Sequence, residues 1–143
     1  MPTREADAEW TGDFQSGRGH MRLCTDFDRA FDARSRTENG DGLNPEDLIG
    51  AAHAGCFSMA LADQLASQGY APQRIHTCAK VHLGQKDGGW RIERIDLETE
   101  AAVQGLGARE LQEAAETTKA ACPVSKALAG VDIGLTTRLI EPQ

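Results

Sequence analysis

A chain of 143 residues, 40% hydrophobic and 26% charged, is long enough for one domain with a real core, too short for two comfortable ones, and too apolar for a disordered polymer. Its net charge is −7 and its 15 Lys and Arg are scattered, so the basic stripe of a nucleic-acid binder is missing and no such partner is expected. The start is acidic and polar, and no apolar run reaches membrane length; the reading is a cytoplasmic protein, a single domain over residues 1–143, with no membrane association.

In chain order, residues 8–14 and 17–25 alternate in short segments separated by glycines and acids, the pattern of an antiparallel meander. A further strand is expected to end near Arg36, and residues 34–43 then lose all apolar periodicity and collect turn formers. Asn44-Pro45-Glu46-Asp47 has the chemistry of a helix start: a capping Asn, Pro at the first helical position, and two acids at the positive end. The helix should reach about residue 69. From Ile49 to Ala62 it carries no charge, so no face of it suits open water, and a sheet or a partner subunit must wrap it.

Residues 75–83 and 90–103 read as a hairpin closed by Lys86-Asp87-Gly88-Gly89. Trp90 and Ile92 are out of phase with Ile95 and Leu97, which implies a bulge near Arg94. Residues 107–121 return to helical spacing, with Leu111, Ala114, Ala115, Thr118 and Cys122 on one core-facing stripe. Pro123 opens a further helical turn to Ala127, and residues 131–140 alternate as a last strand.

Of the four cysteines, Cys24, Cys56, Cys78 and Cys122, none forms a CxxC pair, and in a reducing compartment redox, metal or core roles outrank a static disulfide. Cys56 lies in the apolar helix, where burial raises a thiol pKa, so a packed core cysteine competes with a reactive one. Cys122 precedes Pro123 at a helix start, a place that favours a thiolate, against the alternative of a small packed hydrophobe. The small residues around both would let two packed helices bring the thiols together. A guanidinium such as Arg36, held by a carboxylate such as Glu46, could stabilise a thiolate, against the alternative of solvated surface charges. An unbroken helix separates Glu46 from Cys56 by ~15 Å, so either it breaks near Gly50 or the residues come from different subunits. His76, Cys78, Lys80 and His82 alternate outward on one strand and form a rival zinc set, although a polar strand face explains them and no nearby carboxylate completes a ligand pattern. His53 is either a base or metal ligand near Cys56 or a hydrogen-bonded core histidine. Cys24 is read as a strand residue without a role.

The stretch from Asn44-Pro45-Glu46-Asp47 through His53-Ala54-Gly55-Cys56-Phe57-Ser58 to Leu61, together with Ala121-Cys122-Pro123-Val124-Ser125, closely resembles the OsmC/Ohr family. The likeness runs from Glu9-Trp10-Thr11-Gly12 to the last strand, and the Cys-Pro-Val-Ser form looks like the OsmC branch. The resemblance implies an α+β fold in which antiparallel sheets wrap long central helices in an intertwined homodimer, with sites at the interface. It also implies an organic hydroperoxide reductase with Cys56 as peroxidatic thiol, Cys122 as resolving thiol, and Glu46 positioning an arginine. That arginine is Arg36 by this reading, with Arg34 and Arg18 as neighbours of the same type. No bound cofactor is expected; the family implies an external dithiol, dihydrolipoamide or a lipoylated protein, as reductant. The alanine-rich wall around Cys56 favours alkyl or lipid hydroperoxides over H2O2. The competing readings are a metal-binding protein and a non-catalytic dimeric stress protein.

Overall fold

The computed structural model describes residues 3–23, 26–37 and 43–143; Cys24 lies outside them. The chain divides into two compact units, Met1–Leu48 and Ile49–Gln143. No helix among the described residues is long and apolar enough to cross a membrane.

The first unit holds a meander of β1 (Ala6–Thr11), β2 (Arg18–Leu23) and β3 (Asp28–Phe31), paired antiparallel in that order. Trp10 and Phe31 meet across it with ring centroids 5.6 Å apart. The third strand stops earlier than its sequence suggests, and residues Ala33–Thr37 form a short helix, α1. Arg36 therefore sits on a helix and not at a strand end. The reason is local: Asp32 Oδ1 accepts the Ser35 N–H at 3.0 Å, and the Ser35 hydroxyl donates to the Asp32 carbonyl at 2.7 Å. These bonds turn the chain into a helical start before any periodicity can register.

Helix α2 (Pro45–Ser67) begins as its residues dictate. Asn44 Oδ1 accepts the Asp47 N–H at 2.9 Å and Asp47 Oδ2 accepts the Asn44 N–H at 3.0 Å, a reciprocal cap that satisfies donors the helix itself cannot. The helix does not break at Gly50. A Cβ there would stand 3.3 Å from Val81, so the glycine serves close packing on the neighbouring strand and not a bend.

The second unit holds β4 (Pro72–Lys86), β5 (Gly89–Val103), α3 (Ala108–Ala121), α4 (Pro123–Ala127) and β6 (Asp132–Ile140). The β4–β5 hairpin turns on Asp87 and Gly88, both with positive φ, as a two-residue primed turn requires. Its register slips between His82 and Leu83, opposite Arg94 and Ile92, which is the bulge implied by the change of phase. One expectation is corrected: the sheets are not all antiparallel, because β6 pairs parallel with β5. The α3–α4 crossover returns the chain to its starting end, and only such a crossover permits parallel pairing.

The core sits in this second unit. Phe57, Leu61 and Leu65 of α2 pack with Ile95 and Leu97 of β5 and Leu111 of α3, all without solvent exposure. The expected α3 stripe of Leu111, Ala114, Ala115, Thr118 and Cys122 is buried throughout.

Candidate active site

Helix α2 carries Cys56 and the α3–α4 junction carries Cys122, and their sulfurs stand 3.0 Å apart in hydrogen-bond contact. Both are free thiols. The approach depends on small neighbours and on Pro123, which ends α3 and starts α4 so that Cys122 closes one helix and opens the next. Cys122 is fully buried, whereas Cys56 keeps part of its surface open.

The two sulfurs differ in electrostatic surroundings. Burial pushes the Cys56 thiol up, its hydrogen bond with Cys122 adds to the rise, and the Val124 N–H works against both. Burial acts in the same sense on Cys122. There it is outweighed by the Cys56 thiol, the Ser125 N–H and hydroxyl and the Val124 N–H, which together leave Cys122 below the usual thiol range.

His53, one helical turn before Cys56, is fully buried. Its Nε2 lies 2.8 Å from the Ser125 hydroxyl, and its Nδ1 has no partner. It is thus a hydrogen-bonded core histidine. Ser125, on α4, is its partner across 72 positions of chain, a link that no sequence spacing could reveal.

Burial lowers the His53 pKa below 6.5, so in the unfolded chain this imidazole binds a proton at a pH where the folded one refuses it. Its contribution to stability is complete above pH 6.5 and is lost as pH falls toward the folded value. Urea midpoints measured from about pH 7.5 to about pH 5 should fall more steeply for the wild type than for His53→Gln. Parallel curves would refute this reading.

In the first unit, Arg36 Nη2 lies 3.2 Å from Glu46 Oε1. Glu46 is nearly buried and its other oxygen has no partner. Arg18 and Arg34, the other two candidates, instead turn to Asp32 at 3.6 and 3.7 Å. Beside Arg36 is a largely apolar cleft of ≈ 320 Å³ lined by Trp10, Phe14, Phe31, Ala33 and Pro45, with Asp32 at its edge. Since α2 is unbroken past Gly50, the rise of ~15 Å along the helix from Glu46 to Cys56 stands.

The rival set on β4 does not converge. His76, Cys78, Lys80 and His82 all face outward and are exposed. Antiparallel pairing brings β5 alongside, so that Lys80 pairs with Glu98 at 2.9 Å and His82 with Asp96 at 2.8 Å. Among the described residues no group of three or more His, Cys, Asp or Glu side chains could hold a metal ion.

Comparison with known proteins agrees with this architecture. The chain is 39% identical over 127 residues to peroxiredoxin OsmC of Escherichia coli, a match covering 87% of this chain and 89% of that one. It is 34% identical over 126 residues to an organic hydroperoxide resistance protein of Xanthomonas axonopodis pv. citri, covering 82% and 87%. The crystal structure of an organic hydroperoxide resistance protein from Elizabethkingia anophelis superposes with a TM-score of 0.77 at 26% identity, covering 99% of this chain and 98% of that one. Residues 38–136 match the family model described as OsmC-like protein, and with the paired thiols on α2 and at the α3–α4 junction the chain belongs to the OsmC family.

Proposed function

We propose that the protein is a thiol peroxidase that reduces organic hydroperoxides to alcohols with Cys56 and Cys122. The observation that carries this reading is the 3.0 Å approach of two free thiols, of which only Cys56 is open to a substrate. The similarity to a peroxiredoxin and to an organic hydroperoxide resistance protein supports the same chemistry.

The Cys56 thiolate attacks the terminal peroxide oxygen. The O–O bond breaks, the alkoxide takes a proton and leaves as alcohol, and Cys56 becomes a sulfenic acid. Cys122 then attacks the Cys56 sulfur, the S–O bond breaks, water leaves, and a disulfide remains. An external dithiol, dihydrolipoamide or a lipoylated protein, restores both thiols by two exchanges and is itself oxidised to a disulfide.

A thiol raised by burial needs a cation, and the Arg36–Glu46 pair is suited to supply one: the guanidinium keeps its donors while the carboxylate fixes its plane. The unbroken α2 favours an arrangement in which that pair serves Cys56 of a second copy. Ala51, Ala52, Gly55 and Met59 form an exposed apolar stripe on α2, with Met59 73% exposed; a homodimer that covers it removes this surface from water. The apolar cleft beside Arg36 suits the organic group of the substrate.

Anaerobic thiol counting after one equivalent of cumene hydroperoxide tests the proposal. The expected result is loss of two thiols, with H2O2 acting more slowly. Unchanged thiols would sink it.

A further inference from the structure

We propose that the His53–Ser125 hydrogen bond is a clamp between α2 and α4 that keeps Cys122 within reach of Cys56, which makes His53 and Ser125 positioning residues for disulfide formation. This deepens the peroxidase reading, on which it rests for the second chemical step, and it adds no group to the reacting atoms.

The geometry carries it. His53 Nε2 and the Ser125 hydroxyl lie 2.8 Å apart, and the Cys56 and Cys122 sulfurs 3.0 Å apart. His53 precedes Cys56 by three positions on α2, and Ser125 follows Cys122 by three in the first turn of α4. On α2 that spacing makes the two side chains neighbours on one face, so the polar tie and the thiol contact run side by side between the same two segments. The tie also stands where packing is thin. Helix α4 has five residues, too few to persist by itself, and Ser125 is its one buried member. Apolar anchoring against the core comes from Leu128, one residue past the helix. His53 is fully buried and its Nδ1 has no partner among the described residues. Taking a polar ring out of water costs more than burying an apolar side chain, and the bond to Ser125 is the interaction that offsets this cost.

The clamp matters once Cys56 is a sulfenic acid. The Cys122 sulfur then attacks the Cys56 sulfur, the S–O bond breaks, and the oxygen takes a proton and leaves as water. From 3.0 Å the sulfurs must close by about 1 Å to bond. A tie one helical turn away holds α4 in place during that approach, which raises the effective concentration of each sulfur at the other.

The test uses the full chain with Cys24→Ser and Cys78→Ser, equilibrated without oxygen in mixtures of reduced and oxidised glutathione. The two thiols give two electrons and two protons to one glutathione disulfide, which becomes two glutathione molecules. The mixture at half-oxidation measures the effective concentration. His53→Leu and Ser125→Ala should each lower it about tenfold, and the double variant should fall no further than either, because one shared bond is lost only once. His53→Gln keeps an N–H near the place of Nε2 and should restore most of the loss. A role in stability alone would lower the melting temperature of both redox forms equally and leave the equilibrium in place. Equilibria that do not move, or losses that add in the double variant, overturn the proposal. Where His53→Leu does not fold, Ser125→Ala, which removes a single oxygen, decides. If the wild type forms the disulfide with glutathione yet loses no thiols to one equivalent of cumene hydroperoxide, the peroxidase reading fails and the clamp stands; unmoved equilibria beside normal thiol loss sink the clamp alone.

Discussion

Replacing Cys56 by Ser is expected to lower hydroperoxide turnover by about 10³-fold or more, because the other thiol of the site, Cys122, is fully buried. Cys122→Ser should behave differently. Its first turnover proceeds, one thiol is lost instead of two, and Cys56 stays as a sulfenic acid that a dimedone adduct reveals by mass. The comparison is informative because charge and access rank the two thiols in opposite order. Hydrogen bonds favour the thiolate at Cys122, which is fully buried; Cys56 is held up by burial yet is the thiol that substrate can meet. A peroxide of any size must reach its nucleophile, so access decides the first step and thiolate character the second. Steady-state assays with dihydrolipoamide as reductant, beside single-turnover thiol counts, check this. If Cys122→Ser loses the first turnover and Cys56→Ser retains it, the two roles are exchanged.

Phe57→Ala should destabilise the fold by about 3–5 kcal/mol, a large part of the 5–15 kcal/mol typical of a domain. Phe57 has no exposed surface and joins α2 to the core formed with β5 and α3, so its removal leaves a cavity lined by side chains that can relax only in part. The urea midpoint and the melting temperature should both fall, the latter by about 10 °C or more for a chain of this size. Met59, two positions on, is the control. It is 73% exposed, so Met59→Ala costs an isolated chain almost nothing. A loss at Met59 that grows with protein concentration measures cover of the α2 stripe by a second copy. A midpoint unchanged by Phe57→Ala would contradict the described core.

Local chemistry made much of the architecture legible. Asn44, Pro45 and Asp47 announce the start of α2 because a cap is made by neighbours in sequence, and the side-chain bonds found there are the expected ones. The α3 stripe follows from 3.6-residue spacing, the β4–β5 turn from Asp87-Gly88, and the bulge from one change of phase. Helix α1 escaped notice because its five residues are too few for a period and its start rests on Asp32 and Ser35, two polar residues ordinary in any loop. The parallel partner of β5 escaped because pairing direction depends on where a crossover delivers the chain, which no strand records in its own residues.

By itself the sequence determined the types of the longer elements, because each depends on neighbours within a turn or two of chain, and it named the candidate thiols, carboxylate and arginine through a family motif. Only the tertiary structure decided that Cys56 meets Cys122 across 66 positions, that His53 binds Ser125 across 72, and that Arg36 and not Arg18 or Arg34 pairs with Glu46. The two long-range pairings depend on how burial of the apolar faces of α2, α3 and the β4–β5–β6 sheet packs distant segments together, and the arginine's choice on how the first unit folds; neither is a property of a local stretch.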